Sequence, residues 1–306
     1  SISGAFMKKY WISGLGLMLF SGAVAAEPLS VVSSFSILGD VVKQVGGERV
    51  AVVNLVGANQ DSHAYHMTAA DVKKIRSAKL VLVNGLGLEK AEMMRAVKQS
   101  KVPYAEATAG IKPLAAPEGG GHGHDHGHDH DHGEFDPHVW TDPVLMQKYA
   151  SNVAVALIKA DPAGKDYYLK RLKDYSGELV KLDSYARSQF NAVPQAKRKV
   201  LTGHDSFAYM GKRYAVSFVS PQGVSSEAEP SAKQVAAIIR QVKQEGIRAI
   251  FAENIKDTRM VDKIAQETGS KVGGKLYSDA LSSGAPANTY INMYRYNVRV
   301  LTDAMK

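Results

Sequence analysis

The sequence predicts an α/β protein: two similar lobes with parallel-type sheets, joined by a long rigid linking helix, with a metal site in the cleft between the lobes. Three observations lead there. Short apolar strands alternate with amphipathic helices in both halves of the chain. A central stretch, Asp142 to about Asn191, is helical throughout. Histidines and one aspartate fall just after strand-like segments in each half, where open α/β sheets bind ligands.

Taken in order, residues 29–38 (LSVVSSFSIL) read as a strand entering a turn. Residues 40–56 give a helix, a Gly-Gly stop and a second strand. Thr68 and Asp71 fit a capping box, and Val72 and Ile75 share one face of the helix that follows. LVLV at 80–83 is wholly apolar, as a strand buried on both faces must be. Residues 115–135 hold Pro, Gly, His and Asp and almost nothing apolar; they cannot bury enough surface to offset ordering, which predicts a disordered loop. A second central helix, about Asp166 to Phe190, keeps Tyr168, Leu172, Tyr175, Leu179, Leu182 and Phe190 on one side. Roughly 25 residues of helix span ~37 Å, enough for a rod between lobes. Such a rod favours small tilts over wide hinge closure. The α/β grammar resumes at 199–220, continues through 231–254, where Ser231 and Gln234 form another capping box, and through 258–281, and closes with a helix from Tyr290. The expected boundaries are an N-terminal lobe over 27–162, the link over 163–194 and a C-terminal lobe over 195–306.

Hydrophobic content of 45% and charged content of 22% describe a soluble globular protein. From Met7 the chain has Lys8 and Lys9, an apolar run from Trp11 to Phe20 and small residues at 23–26. That is the pattern of a cleaved signal peptide over 7–26, placing the protein in a periplasm; residues 1–6 read as a cloning scar or upstream mis-start. With no cysteine, neither a disulfide nor a lipid at a lipobox cysteine is expected, and any soft-metal site must rest on histidine. The net charge of +8 is scattered along helices and accompanied by no nucleic-acid motif.

Outside the 115–135 loop lie four histidines: His63, His66, His138 and His204. His63 and His204 follow strands, His138 precedes a helix, and Asp279 sits in a position like theirs; the successive separations are 75, 66 and 75 residues. Three imidazoles and a carboxylate suit a four-coordinate divalent ion, zinc above all. Any one of these histidines alone reads equally as a hydrogen-bonded core or surface residue, and spacing leaves both readings open.

The segments VGANQDSHAYHMTAADVKKI, FDPHVWTDP, LTGHDSFAYM and LYSDALSS closely resemble the zinc/manganese solute-binding proteins of bacterial ABC transporters. The His-rich loop just before DPHVWTDP points to the zinc-specific, ZnuA-like branch. The resemblance covers essentially all of 29–306. It implies two α/β lobes, a rigid linking helix, and His63, His138, His204 and Asp279 as ligands of Zn²⁺, with Mn²⁺ the lesser candidate. Manganese-preferring relatives tend to carry a carboxylate where this chain has His204. The family usually has proline before the first ligand and Glu-Pro or Gln-Pro three residues after it. Here those places hold Ser62, His66 and Met67, so His66 is a candidate fifth donor, an outer partner or a relay to the loop. Asp136, Trp140, Asp142, Asp205 and Glu253 are candidates for orienting the imidazoles.

The six alternating loop histidines, His122, His124, His126, His128, His130 and His132, with Asp125, Asp129 and Asp131, read as a weak, exchangeable zinc reservoir. The expected partners are a membrane permease and, through the loop, a periplasmic zinc chaperone; the expected state is a monomer. Two rivals stand beside transport. A zinc hydrolase would need an open coordination position, and neither H-E-x-x-H nor G-x-S-x-G occurs. A zinc buffer or chaperone without a permease is the other.

Overall fold

The computed structural model describes Gly22, residues 26–117 and residues 134–306. The signal-peptide reading falls almost wholly outside these residues, and the six loop histidines fall outside them entirely.

The first lobe runs β1 (Leu29–Phe35), α1 (Ser36–Gly46), β2 (Val50–Val56), α2 (Ala69–Ser77), β3 (Leu80–Val83), α3 (Ala91–Ser100) and β4 (Tyr104–Glu106). All pairings are parallel, in the order β2-β1-β3-β4. β3 is the LVLV run, buried at every residue because helices cover both faces. The expected turn after β1 does not form. The chain passes straight from the strand into α1 at Ser36, and the junction is satisfied by Ser33 Oγ donating to the Phe35 carbonyl (2.8 Å) and Ser36 Oγ accepting from the Leu281 N–H (3.0 Å).

The chain then crosses through α4 (Leu145–Ala160), a short 3-10 turn at Pro162–Gly164 and α5 (Lys165–Asn191). At 27 residues α5 is about 40 Å long. It buries Tyr168, Tyr175, Leu179, Leu182, Ala186 and Phe190, while Leu172 is only half-buried.

The second lobe follows with β5 (Lys199–Leu201), α6 (Ala208–Tyr214), β6 (Ser217–Val219), α7 (Ala232–Glu245), β7 (Ala249–Glu253), α8 (Arg259–Thr268), β8 (Val272–Leu276) and α9 (Tyr290–Met305). Its sheet is parallel too, in the order β6-β5-β7-β8. The two lobes therefore share one topology. In each, the chain adds a strand on one side of its first strand and then crosses to the other side, which makes a switch point at the carboxyl ends of the strands. Both capping boxes read from the sequence are present, Thr68 with Asp71 and Ser231 with Gln234.

One buried cluster runs through α1, α4, α5 and α9 into both lobes, so the link is packed rather than free. A second, small cluster (Leu201, Val242, Ile250, Val261 and Ile264 among its members) lies under α7 and α8. Among the described residues, no helix is long and apolar enough to cross a membrane.

Candidate metal centre

His63, His138, His204 and Asp279 come together in the cleft, each offering one donor atom, all within 4.8 Å of one another. Three are fully buried and His63 is 7% exposed. His63 lies on the loop after β2, His204 three residues beyond β5, and Asp279 three beyond β8. His138 precedes a 3-10 turn at Val139–Thr141 that leads to α4.

The carboxylate is the hub. Asp279 oxygens stand 2.7 Å from His63 Nε2, 3.2 Å from His138 Nε2 and 3.3 Å from His204 Nε2. Four ligands held tetrahedrally at 2.0–2.1 Å from zinc would be about 3.3 Å apart, so the spacing already approaches that of a coordination shell. His63 Nε2, His204 Nε2 and Asp279 Oδ1 lack a well-formed hydrogen bond although buried, a costly arrangement for atoms not meant to bind a cation.

Two imidazoles are aimed by buried carboxylates. Asp136 accepts from the His138 backbone N–H (3.0 Å) and lies 2.6 Å from its Nδ1. Glu253, at the end of β7, does the same for His204, at 2.9 Å from both the backbone N and Nδ1. With Nδ1–H donating to a carboxylate, Nε2 is left to face the centre. Gly203 is needed for this approach: a Cβ there would sit 2.7 Å from Glu253 Oε2.

The DPHVWTD segment is pinned from both lobes. Pro137 O accepts from Asn84 Nδ2 (3.1 Å), Asp136 O from Tyr209 Oη (2.6 Å) and Ser278 O from Trp140 Nε1 (2.8 Å). The Trp140 ring also packs against His138, centroids 5.1 Å apart.

Electrostatics follow the geometry. Burial opposes charge on Asp279, but His138, His204 and His63 together hold its carboxyl well below the usual range. Burial likewise works against a charged His138, yet Asp279 and then Asp136 outweigh it and lift its pKa to about 9. For His204, burial is again overcome, here by Glu253 and Asp279, and the pKa rises well above the ordinary value. Glu253 is lowered, since the charge and hydrogen bond of His204 exceed its burial penalty. The cluster thus traps positive charge, and a dication would take the place of protons on these rings.

Two expectations need correction. His66 is not in the cluster: its side chain is 79% exposed, with Nδ1 3.7 Å from Glu92. It sits on the outer side of the loop, turned to solvent. Asp142 orients no imidazole; it accepts from Arg213 Nε (2.9 Å) and the Val144 N–H (2.8 Å) and so anchors the start of α4. Asp205, beside His204 in sequence, is half-buried near the cluster: burial and then Asp136 raise its carboxyl pKa while His138 and His204 oppose the rise, and its backbone N–H donates to the Gln222 and Gly223 carbonyls.

Sequence reasoning missed Asp61, which accepts from the His63 backbone N–H at 2.9 Å. A signal existed: Asp61-Ser62-His63 and Asp136-Pro137-His138 share the pattern Asp-x-His, and in both the aspartate holds the histidine's amide.

A cavity of about 350 Å³ opens onto the cluster, lined by His63, Leu86, Lys90, Phe135, Ser225 and Glu227 among others. His63 is the one donor of the four on its wall. The two ends of the His-rich insertion meet at this mouth, where Ala115 bridges Phe135 and the Ala116 N–H donates to the Glu134 carbonyl (3.2 Å).

Residues 31–304 match the family model described as zinc-uptake complex component A, periplasmic. The chain is 31% identical over 294 residues to the manganese-binding lipoprotein MntA of Bacillus subtilis (strain 168), spanning 94% of this chain and 92% of that one. Its fold is similar to that of the periplasmic zinc binding protein TroA from Treponema pallidum, with TM-score 0.83 and 28% identity over 91% of this chain and 99% of that one. The Mn-bound periplasmic metal binding protein from Candidatus Liberibacter asiaticus is similar at TM-score 0.79 and 28% identity, over 91% of this chain and 100% of that one.

Proposed function

The chain belongs to the zinc-uptake component A family of metal-binding, ABC-transporter substrate-binding proteins, and from that premise we propose that its cargo is Zn²⁺, held by His63, His138, His204 and Asp279 and passed to a membrane permease. The observation that carries this reading is the donor set. Three imidazole nitrogens and one carboxylate converge within 4.8 Å. Nitrogen-rich, four-donor sites suit zinc, whereas manganese favours more oxygen ligands and higher coordination numbers. Carboxylates behind His138 and His204 strengthen both rings as donors. Four protein donors leave no position for a catalytic water, which sets the hydrolase reading aside.

The name of the Bacillus relative favours a second reading, manganese as cargo. Metal competition separates the two. Protein offered equimolar Zn²⁺ and Mn²⁺ and then desalted is expected to retain zinc; retention of manganese would overturn the zinc assignment. We also propose that the chain works in the periplasm, supported by the description of the family whose model it matches. The six histidines from His122 to His132 serve in this reading as an exchangeable zinc reservoir. Deleting 119–133 is expected to lower the zinc titration stoichiometry while leaving the tight site; unchanged stoichiometry would remove the reservoir.

A further inference from the structure

We propose that Asp61 and Ser226 form a latch across the cleft mouth, that His63 is the ligand that lets go first, and that the latch sets the rate of metal release. The proposal rests on the reading of the cluster as the cargo site. His63 alone of the four donors lines the cavity that opens onto the cluster, so an ion enters and leaves past it. His138 and His204 are each fixed twice, through the backbone amide and through Nδ1, by a buried carboxylate. Among the described residues no such carboxylate stands behind the His63 ring. Its hold comes through its amide to Asp61 Oδ1.

The other Asp61 oxygen, Oδ2, accepts from Ser226 Oγ in the opposite lobe. One carboxylate therefore ties the ligand-bearing backbone of the first lobe to a loop of the second. That loop is preset: Gln222 Nε2 donates to the Ser226 and Ala228 carbonyls (3.2 and 3.0 Å), and Ser226 is 1% exposed. The base of the His63 loop is tied separately, by the Asn59 N–H to the Leu281 carbonyl (2.8 Å) and by Asn254 Nδ2 to Asn59 Oδ1 (3.0 Å). Breaking the Asp61–Ser226 bond thus frees the stretch that carries His63 while its base stays fixed. Lys90 and Glu227 also bridge the mouth at 3.1 Å, but Glu227 is 56% exposed and such a pair adds little.

Zinc-loaded protein mixed rapidly with excess chelator reports the release rate. Ser226→Ala is expected to speed release about tenfold, the rate equivalent of one hydrogen bond to a charged group, with association within about twofold of wild type. Asp61→Asn, which weakens both bonds, is expected to speed it further. Ser226→Thr keeps the hydroxyl and is expected to restore wild-type release; release as fast as in Ser226→Ala would reduce the effect to packing and overturn the latch. Wild-type uptake with unchanged release in both Ser226→Ala and Asp61→Asn overturns the latch alone. A wild-type protein that takes up no zinc overturns the cargo reading and the latch with it.

Discussion

The two lobes share a strand order and give two donors each, yet they are built to different standards. In the first, α1 buries nine of its eleven residues, and its cluster is continuous with the helices that join the lobes. In the second, α7 buries only Val242 of fourteen residues and packs over a separate small cluster. Strand length follows the same trend, seven residues in β1 and three in β5. The lobe with the thinner outer layer nevertheless holds His204 as firmly as the sturdier one holds His138. Ligand geometry is decided by a buried carboxylate behind the imidazole and by the packed link, and much less by the outer layer of helices.

The largest effect should come from breaking the hub. Asp279→Ala removes the oxygen donor and leaves His63, His138 and His204 facing one another. Zinc affinity measured by chelator competition is expected to fall by more than about 100-fold, the upper range for losing an outer partner. Next come those partners. Asp136→Asn and Glu253→Gln are each expected to cost about 10–100-fold, and to similar extents in the two lobes; a loss in one lobe only would break the comparison.

Acid provides a graded version of the same test. His138 holds its proton up to about pH 9 in the metal-free protein, and His204 is raised as well. The ion must displace those protons, so affinity rises with pH. The logarithm of the binding constant should climb by about one per pH unit for each proton released. Without metal the sign is reversed. A folded-state pKa raised above the unfolded value stabilises fully below about 6.5 and is lost as pH rises through about 9. Thermal midpoints of metal-free and zinc-loaded protein across that window check both directions.

The smallest effect on affinity should come from the second lobe's outer layer. Ile264→Ala, in the small cluster, is expected to cost about 2–5 kcal/mol of stability. It should speed amide exchange in α7 and α8 and leave zinc affinity unchanged. A matching loss of affinity would show that the outer layer does position the site.

Much of this was legible in the sequence because each signal had a local physical cause. The capping boxes at Thr68 and Ser231, the all-apolar β3 and the apolar face of α5 are one-dimensional patterns with direct structural meaning. The four clustered side chains were readable as candidates because His63, His204 and Asp279 follow strands that end in the cleft and His138 precedes the helical segment that leads away from it. Other features had no local cause to read. β4 is a three-residue edge strand with an exposed Tyr104, and nothing in its composition marks it. Whether Asp142 turns toward an imidazole depends on Arg213, 71 positions away in sequence. Ser226 meets Asp61 across 165 positions, a contact no spacing rule anticipates.

The central claim is a four-coordinate zinc site made by three imidazoles and one carboxylate. X-ray absorption at the zinc edge of loaded protein tests it most directly. The expected result is four nitrogen or oxygen neighbours at about 2.0–2.1 Å, with the outer-shell scattering of three imidazole rings. Six oxygen-dominated neighbours, or scattering from fewer than three rings, would contradict it.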